Sequence, residues 1–182
     1  MKTFIRLFQV VAVAYMLTGC ESCNGVDPVD PKSKIVTIQI NSEFMTSFTT
    51  DIIDKGSNTD LNGPVCQLEQ FGSGTDAELG AFDIYLTCCW SLADGLHSCT
   101  EGFISDPEGN ILNIMCKDGE DGVVFTADFP LDQTYLGSEF EFTGGTGRFE
   151  GASGRGVMKC DVKNATNSMV HHWEADLTLI TK

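Results

Sequence analysis

Basic residues are scarce in this chain. Eleven Lys and Arg stand against twenty-six Asp and Glu in 182 residues, a formal net charge of -15. A field of that sign opposes the counterion release on which phosphate binding depends, so nucleic acid and anionic lipid headgroups are poor partners. Histidine is scarcer still, with only His97, His171 and His172. No Gly-x-Ser-x-Gly elbow is present, and Gly151-Ala152-Ser153-Gly154 falls short of one. There is no long helical periodicity, no internal repeat and no second linker, which leaves one all-β domain within the size range of a single core.

What the chain has instead is alternation punctuated by glycine. Ile35 to Ile40, Phe82 to Thr87 and Met169 to Thr181 alternate with a period of two. Residues 98–104, 111–117 and 122–129 read as further strands, and 43–54 suits a partner strand after a break. Turn formers fill 55–64, the expected mobile loop, and glycines make 72–80 a connection. Between the alternating runs at 139–142 and 157–160 lies a segment in which Gly144, Gly145, Gly147, Gly151, Gly154 and Gly156 recur every few residues. Each interior glycine costs a helix roughly 1 kcal/mol against alanine, whereas between strands glycines permit positive φ and close backbone approach. A tight β-connection follows, with Phe149 as its apolar anchor and with Arg148 and Glu150, if merely adjacent and partly exposed, contributing little. A nucleotide fingerprint does not fit, because its third glycine is replaced by Glu150.

The run from Phe142 to Gly154, Phe-Thr-Gly-Gly-Thr-Gly-Arg-Phe-Glu-Gly-Ala-Ser-Gly, resembles a segment of small secreted bacterial β-proteins and, more distantly, of the plant allene oxide cyclase and dirigent barrels. Phe71 to Gly80 is similar to a second recurring piece of those proteins. The resemblance spans about residues 64–181. It implies a single antiparallel barrel of about eight strands over 34–182, with a β-sandwich as the competitor, and it carries over no catalytic residue. Closure also removes the edge strands that template aggregation.

Residues 1–19 read as a secretory leader. Lys2 and Arg6 flank a short apolar core that ends at Leu17-Thr18-Gly19-Cys20, and that core is too short to span a membrane. The ending resembles a bacterial lipobox, which makes Cys20 the lipidated N-terminus and 20–33 a flexible tether. Removing the leader takes two bases and no acid, leaving about -17. Two or three acyl chains suffice for stable anchoring.

Of the remaining cysteines, Cys23 lies in the tether, and Cys66, Cys88, Cys89, Cys99, Cys116 and Cys160 are disulfide candidates in an exported domain. Cys88, Cys89, Cys99 and His97 match no zinc spacing, and Asp118, Glu120 and Asp121 lack the full calcium-loop pattern, so no metal and no cofactor is expected. The acidic pairs Glu139/Glu141 and Glu174/Asp176 carry no information beyond a shared face. Asn164-Ala165-Thr166 has no meaning as a glycan acceptor in a lipoprotein-making organism. No catalytic residue is assigned. The expected function is a non-enzymatic, lipid-anchored cell-envelope protein of the outer membrane that binds a small apolar ligand or a protein partner. A structural component without ligand and a cavity isomerase or cyclase are the alternatives. A cavity lined by Tyr85, His171 and Trp173 would favour ligand binding or isomerisation, whereas a barrel filled by Phe and Leu would favour the structural role.

Overall fold

The computed structural model describes residues 33–53, 65–91, 97–116, 123–125 and 134–181. Among them run nine antiparallel strands: β1 Lys34–Ile53, β2 Val65–Asp76, β3 Gly80–Ser91, β4 His97–Ser105, β5 Ile111–Cys116, β6 Val123–Phe125, β7 Thr134–Gly145, β8 Ser153–Lys163 and β9 Ser168–Thr181. Their order is β5-β4-β3-β2-β1-β9-β8-β7, and the further pairing of β5 with β7 closes the ring into an eight-stranded antiparallel barrel. Short β6 pairs with the first residues of β7 (134–136), and β5 pairs with its last (140–145), so the two share one position in the ring. A closed sheet leaves no long edge exposed.

Two expected breaks are absent. Residues 34–40 and 43–53 form one strand, β1, which pairs with β9 over 34–47 and passes to β2 over 45–53, and residue 54 lies outside the described residues. The polar Asn41-Ser42 step reads as an interruption, yet Ser42 faces inward and its hydroxyl donates to Asp76 Oδ2 at 2.6 Å. The 72–80 connection is likewise corrected: Gly72 and Gly74 lie within β2, and only 77–79 form the turn to β3. A side chain at Gly72 would meet the backbone carbonyl of Met45, so glycine there lets β1 and β2 approach closely.

Alternation places Phe44, Phe82, Phe140, Phe142, Met158, Trp173 and Leu177 inside, each no more than 5% exposed. Their rings pack on one another: Phe44 meets Phe82 edge-on at 5.4 Å, and Trp173 lies 5.1 Å from Phe44 and 4.7 Å from Phe140. Each such side chain contributes about 1.5–3 kcal/mol by leaving water, so the barrel is built around a packed aromatic core.

Candidate functional site

Three places in this frame hold chemistry-bearing side chains. The first is inside. His171 on β9 is fully buried, stacked on Phe44 with ring centroids 4.8 Å apart. Thr46 Oγ1 donates to Gln70 Oε1 at 3.2 Å, and His171 Nε2 lies 3.0 Å from that hydroxyl and 3.1 Å from Gln70 Oε1. Gln70 Oε1 only accepts, so the ring proton sits on Nε2, and Nδ1 accepts the thiol proton of Cys160 at 3.1 Å. Burial, with a smaller contribution from His172, lowers the imidazole pKa from 6.5 to about 3. Burial, followed by Cys88, Cys116 and Asp161, pushes the Cys160 thiol well above its ordinary value. The pair is therefore neutral, imidazole with thiol, and its hydrogen bonds are internally satisfied. Beside it the buried Trp173 Nε1–H meets no acceptor among the described residues.

The second place closes one end of the barrel. After β7 the chain makes a one-turn 3-10 helix, Gly147–Phe149, in which Phe149 is fully buried. Gly144, Gly147, Gly151 and Gly154 have φ of 103°, 57°, 72° and 155°; Gly145 does not, but a Cβ there would meet Ile111 O. Arg148 reaches outward from this turn. Its Nε donates to Asp106 Oδ2 at 2.7 Å, its Nη2 donates to Leu79 O at 2.7 Å, and its guanidinium lies 4.4 Å from the Phe149 ring centre. Asp106 also accepts from the N–H groups of Glu108 and Asn110 and from the Asn110 side chain. Burial raises the Asp106 pKa, but the bonds from Asn110 and Arg148 outweigh it and leave the carboxyl below its usual value. Arg148 is thus not merely adjacent to the turn, the condition on which a small contribution is expected: it joins the β2–β3 turn, the β4–β5 turn and the glycine segment.

The third place is the outer wall. Phe71, Tyr85 and Phe103 stand in register across β2, β3 and β4, with centroids 4.9 and 5.6 Å apart, over a shallow cleft of about 520 Å³. Phe71 is 51% exposed. Burial, then Glu69 and Glu101, raise the Tyr85 phenol pKa, and Glu69 is its hydrogen-bond partner. On the other half of the ring a saddle of about 680 Å³ carries Glu139, Glu141, Arg155, Glu174 and Asp176, with Arg155 directly between Glu141 and Asp176.

The candidate pocket lining is thereby split. His171 and Trp173 share the interior, while Tyr85 faces outward beside the cleft, in phase with Asp83 and Thr87. Cys66, Cys88, Cys116 and Cys160 are buried, but no disulfide joins the described cysteines. Cys89 follows Cys88 on β3 and so projects to the opposite face. The Cys99 side chain, Cys20, Cys23 and the 118–121 acids lie outside the described residues, as do the leader, residues 20–32 of the tether and the whole of the 55–64 loop. Among the described residues no group of three His, Cys, Asp or Glu could hold a metal ion. Thr46, Gln70, Asp106 and the Phe71–Phe103 row escaped sequence reading, because each acquires its meaning only from cross-strand register.

No protein-family model matches the chain, and no curated protein does. Among solved structures it is similar to the pterocarpan synthase dirigent protein GePTS1, with 14% identity and a TM-score of 0.45 over 82% of this chain and 92% of that one. The closed barrel itself is established by the strand pairing of β5 with β7.

Proposed function

We propose that this chain is a non-enzymatic, lipid-anchored protein of the bacterial cell envelope, held in the outer membrane by Cys20, and that it works by engaging a protein partner on the outside of its barrel. The packed interior speaks against a ligand inside the barrel and by itself would suit a structural component; the observation that carries the partner reading is the ring row Phe71, Tyr85 and Phe103 on the outer wall. Phe44, Phe140 and Trp173 fill the interior ring against ring, and a small apolar ligand would have to displace them. A proton-transfer role within the barrel is equally ill served, because a general base works best with a pKa near the operating pH, and His171 is held at about 3 with both ring nitrogens engaged. The outer wall, by contrast, carries a row of aromatic rings in which Phe71 is 51% exposed and Tyr85 and Phe103 are half-buried. Anchoring rests on Leu17-Thr18-Gly19-Cys20 after the short apolar run.

The test uses intact protein purified from membranes. Mass spectrometry should find a mature chain starting at a diacylglyceryl, N-acylated Cys20, and solvent extraction of the purified protein should release no stoichiometric small apolar molecule beyond the anchor lipids. A soluble chain starting elsewhere would remove the anchor from the reading, and a stoichiometric extracted ligand would return function to the interior.

A further inference from the structure

Strands β2, β3, β4 and β5 contain no Lys or Arg at all. Half of the barrel wall therefore offers carboxylates with no cation of its own strands to answer them. On that wall the cross-strand register builds three parallel rows. The middle row is Phe71, Tyr85 and Phe103; one residue pair along the strands lies the row Glu69, Thr87, Glu101, and one pair the other way lies Ser73, Asp83, Ser105. An apolar stripe is thus rimmed by negative charge on both sides.

We infer that this wall docks a basic, extended segment of a partner protein, with an apolar side chain seated on Phe71, Tyr85 and Phe103 and cationic side chains on Glu69, Glu101 and Asp83. The inference rests on the partner-binding reading above and names the partner's chemistry. Charge selects the occupant. Anionic lipid and nucleic acid are repelled, and a second copy would set carboxylate against carboxylate on a chain of net charge -15. Geometry selects its form: alternate residues of an extended chain stand about 6.8 Å apart, the same spacing as the rows of the wall. A segment reading cation-x-apolar-x-cation therefore meets both rims while its central residue meets the rings. A small cation would engage one rim only. Arginine suits the rims best, because its planar guanidinium pairs with a carboxylate and stacks on the adjacent ring.

The experiment is calorimetric titration of the intact chain in neutral-lipid nanodiscs with the synthetic peptide Arg-Ser-Leu-Ser-Arg-Ser-Leu-Ser-Arg, and with Arg-Arg-Arg-Ser-Ser-Ser-Ser-Leu-Leu of the same composition. The alternating peptide should bind at least about tenfold tighter than the blocked one. Phe71→Ser, at a half-exposed position, should cost about tenfold or more. Glu69→Gln with Glu101→Gln should cost about fivefold and flatten the salt dependence. Glu141→Gln with Glu174→Gln, an equal charge change on the other half of the ring, should leave affinity within about twofold, since exposed charges further apart than a Debye length are screened. Equal binding of the two peptides, or an equal loss from the Glu141/Glu174 pair, would reduce the effect to general charge attraction and overturn the inference. So would full affinity in Phe71→Ser, or a wall that instead takes up a second copy in sedimentation and ignores the peptide. Titration reads the outer wall and solvent extraction reads the interior, so failure of this inference and failure of the partner-binding reading are told apart.

Discussion

Arg148 Nε sits 2.7 Å from Asp106 Oδ2, and the two side chains differ sharply in exposure, 40% for the arginine and 1% for the aspartate. The pair is asymmetric in consequence. Water can solvate the guanidinium if the bond breaks, whereas the carboxylate is left in the protein with only the Asn110 and Glu108 donors. The same arginine holds Leu79 O through Nη2, so three chain turns meet on one side chain.

Arg148→Ala should therefore destabilise the barrel by about 1–3 kcal/mol, the range for leaving a buried acceptor short of a charged donor. Glu150→Ala, at an exposed side chain, should cost less than Arg148→Ala. Arg148→Lys restores the charge but not the two-pronged geometry and should recover only part of the loss. Urea unfolding of the three variants checks the order; an Arg148→Ala protein as stable as Glu150→Ala would contradict the clamp.

In the glycine segment, the cost of alanine should follow what its Cβ would meet. Gly147 combines a φ of 57° with Asn110 Oδ1 in the path of a Cβ, and Gly145 would drive a Cβ into Ile111 O. Both substitutions should cost more than about 1 kcal/mol. Gly144→Ala, with φ 103° and only Ala152 O at 4.0 Å, bears backbone strain alone and should cost less than either. Phe149→Ala should lose about 3–5 kcal/mol because the ring is fully buried. Thermal unfolding of the four proteins gives the ranking, and a Gly144→Ala variant worse than Gly145→Ala would show that φ outweighs contact here.

Strand positions were legible in the chain wherever alternation was clean, as at Phe82 to Thr87, whose inward set Phe82, Ile84 and Leu86 is buried as its phase requires. That phase already put Tyr85 with Asp83 on the outside, and grouping it with His171 and Trp173 ignored it. The glycine turn was legible because glycine has few other uses between strands. Arg148 was not, since its partner lies 42 residues away in a turn that reads as ordinary Asp-Pro-Glu-Gly-Asn. Continuity of β1 was hidden for a related reason: inward Ser42 is polar, and only Asp76 from the next hairpin makes it a buried residue.

Cys20 supplies a prediction that needs no structure. Cys20→Ser should abolish lipid attachment and leave the leader uncleaved, because cleavage in this reading follows acylation of that thiol. Labelled palmitate incorporation and the mass of the chain check this, and a Cys20→Ser chain that still takes up palmitate would place the attachment elsewhere.

The last prediction concerns acid. His171 is neutral in the folded barrel down to about pH 3, but in the unfolded chain it takes up a proton below about 6.5. Between those values the unfolded state binds the extra proton, so the stability that neutral burial preserves is fully present above about 6.5 and is lost as pH falls. The slope approaches about 1.4 kcal/mol per pH unit once the unfolded histidine is protonated. Asp76 and Asp106 have the opposite chemistry but the same direction. Burial raises the pKa of each; bonds from Ser42, Glu78, Leu79 and Asn41 outweigh it at Asp76, bonds from Asn110 and Arg148 at Asp106, and both pKa values end below 3.8. Their contribution starts to fall only below about pH 4, as the unfolded carboxyls protonate. Of the groups named here, His171 alone changes its contribution between pH 6.5 and 4, and comparison with a His171 variant subtracts whatever other groups add, such as His172 beside Glu43. Urea unfolding at pH 7, 6, 5 and 4.5 should show steady loss in the natural protein and a flatter profile in His171→Gln, which is less stable at pH 7 because the Cys160 thiol loses its acceptor. Parallel pH profiles for the two proteins would mean that His171 is protonated in the folded state, and that the barrel interior is far more polar than its packing of Phe44, Phe140 and Trp173 implies.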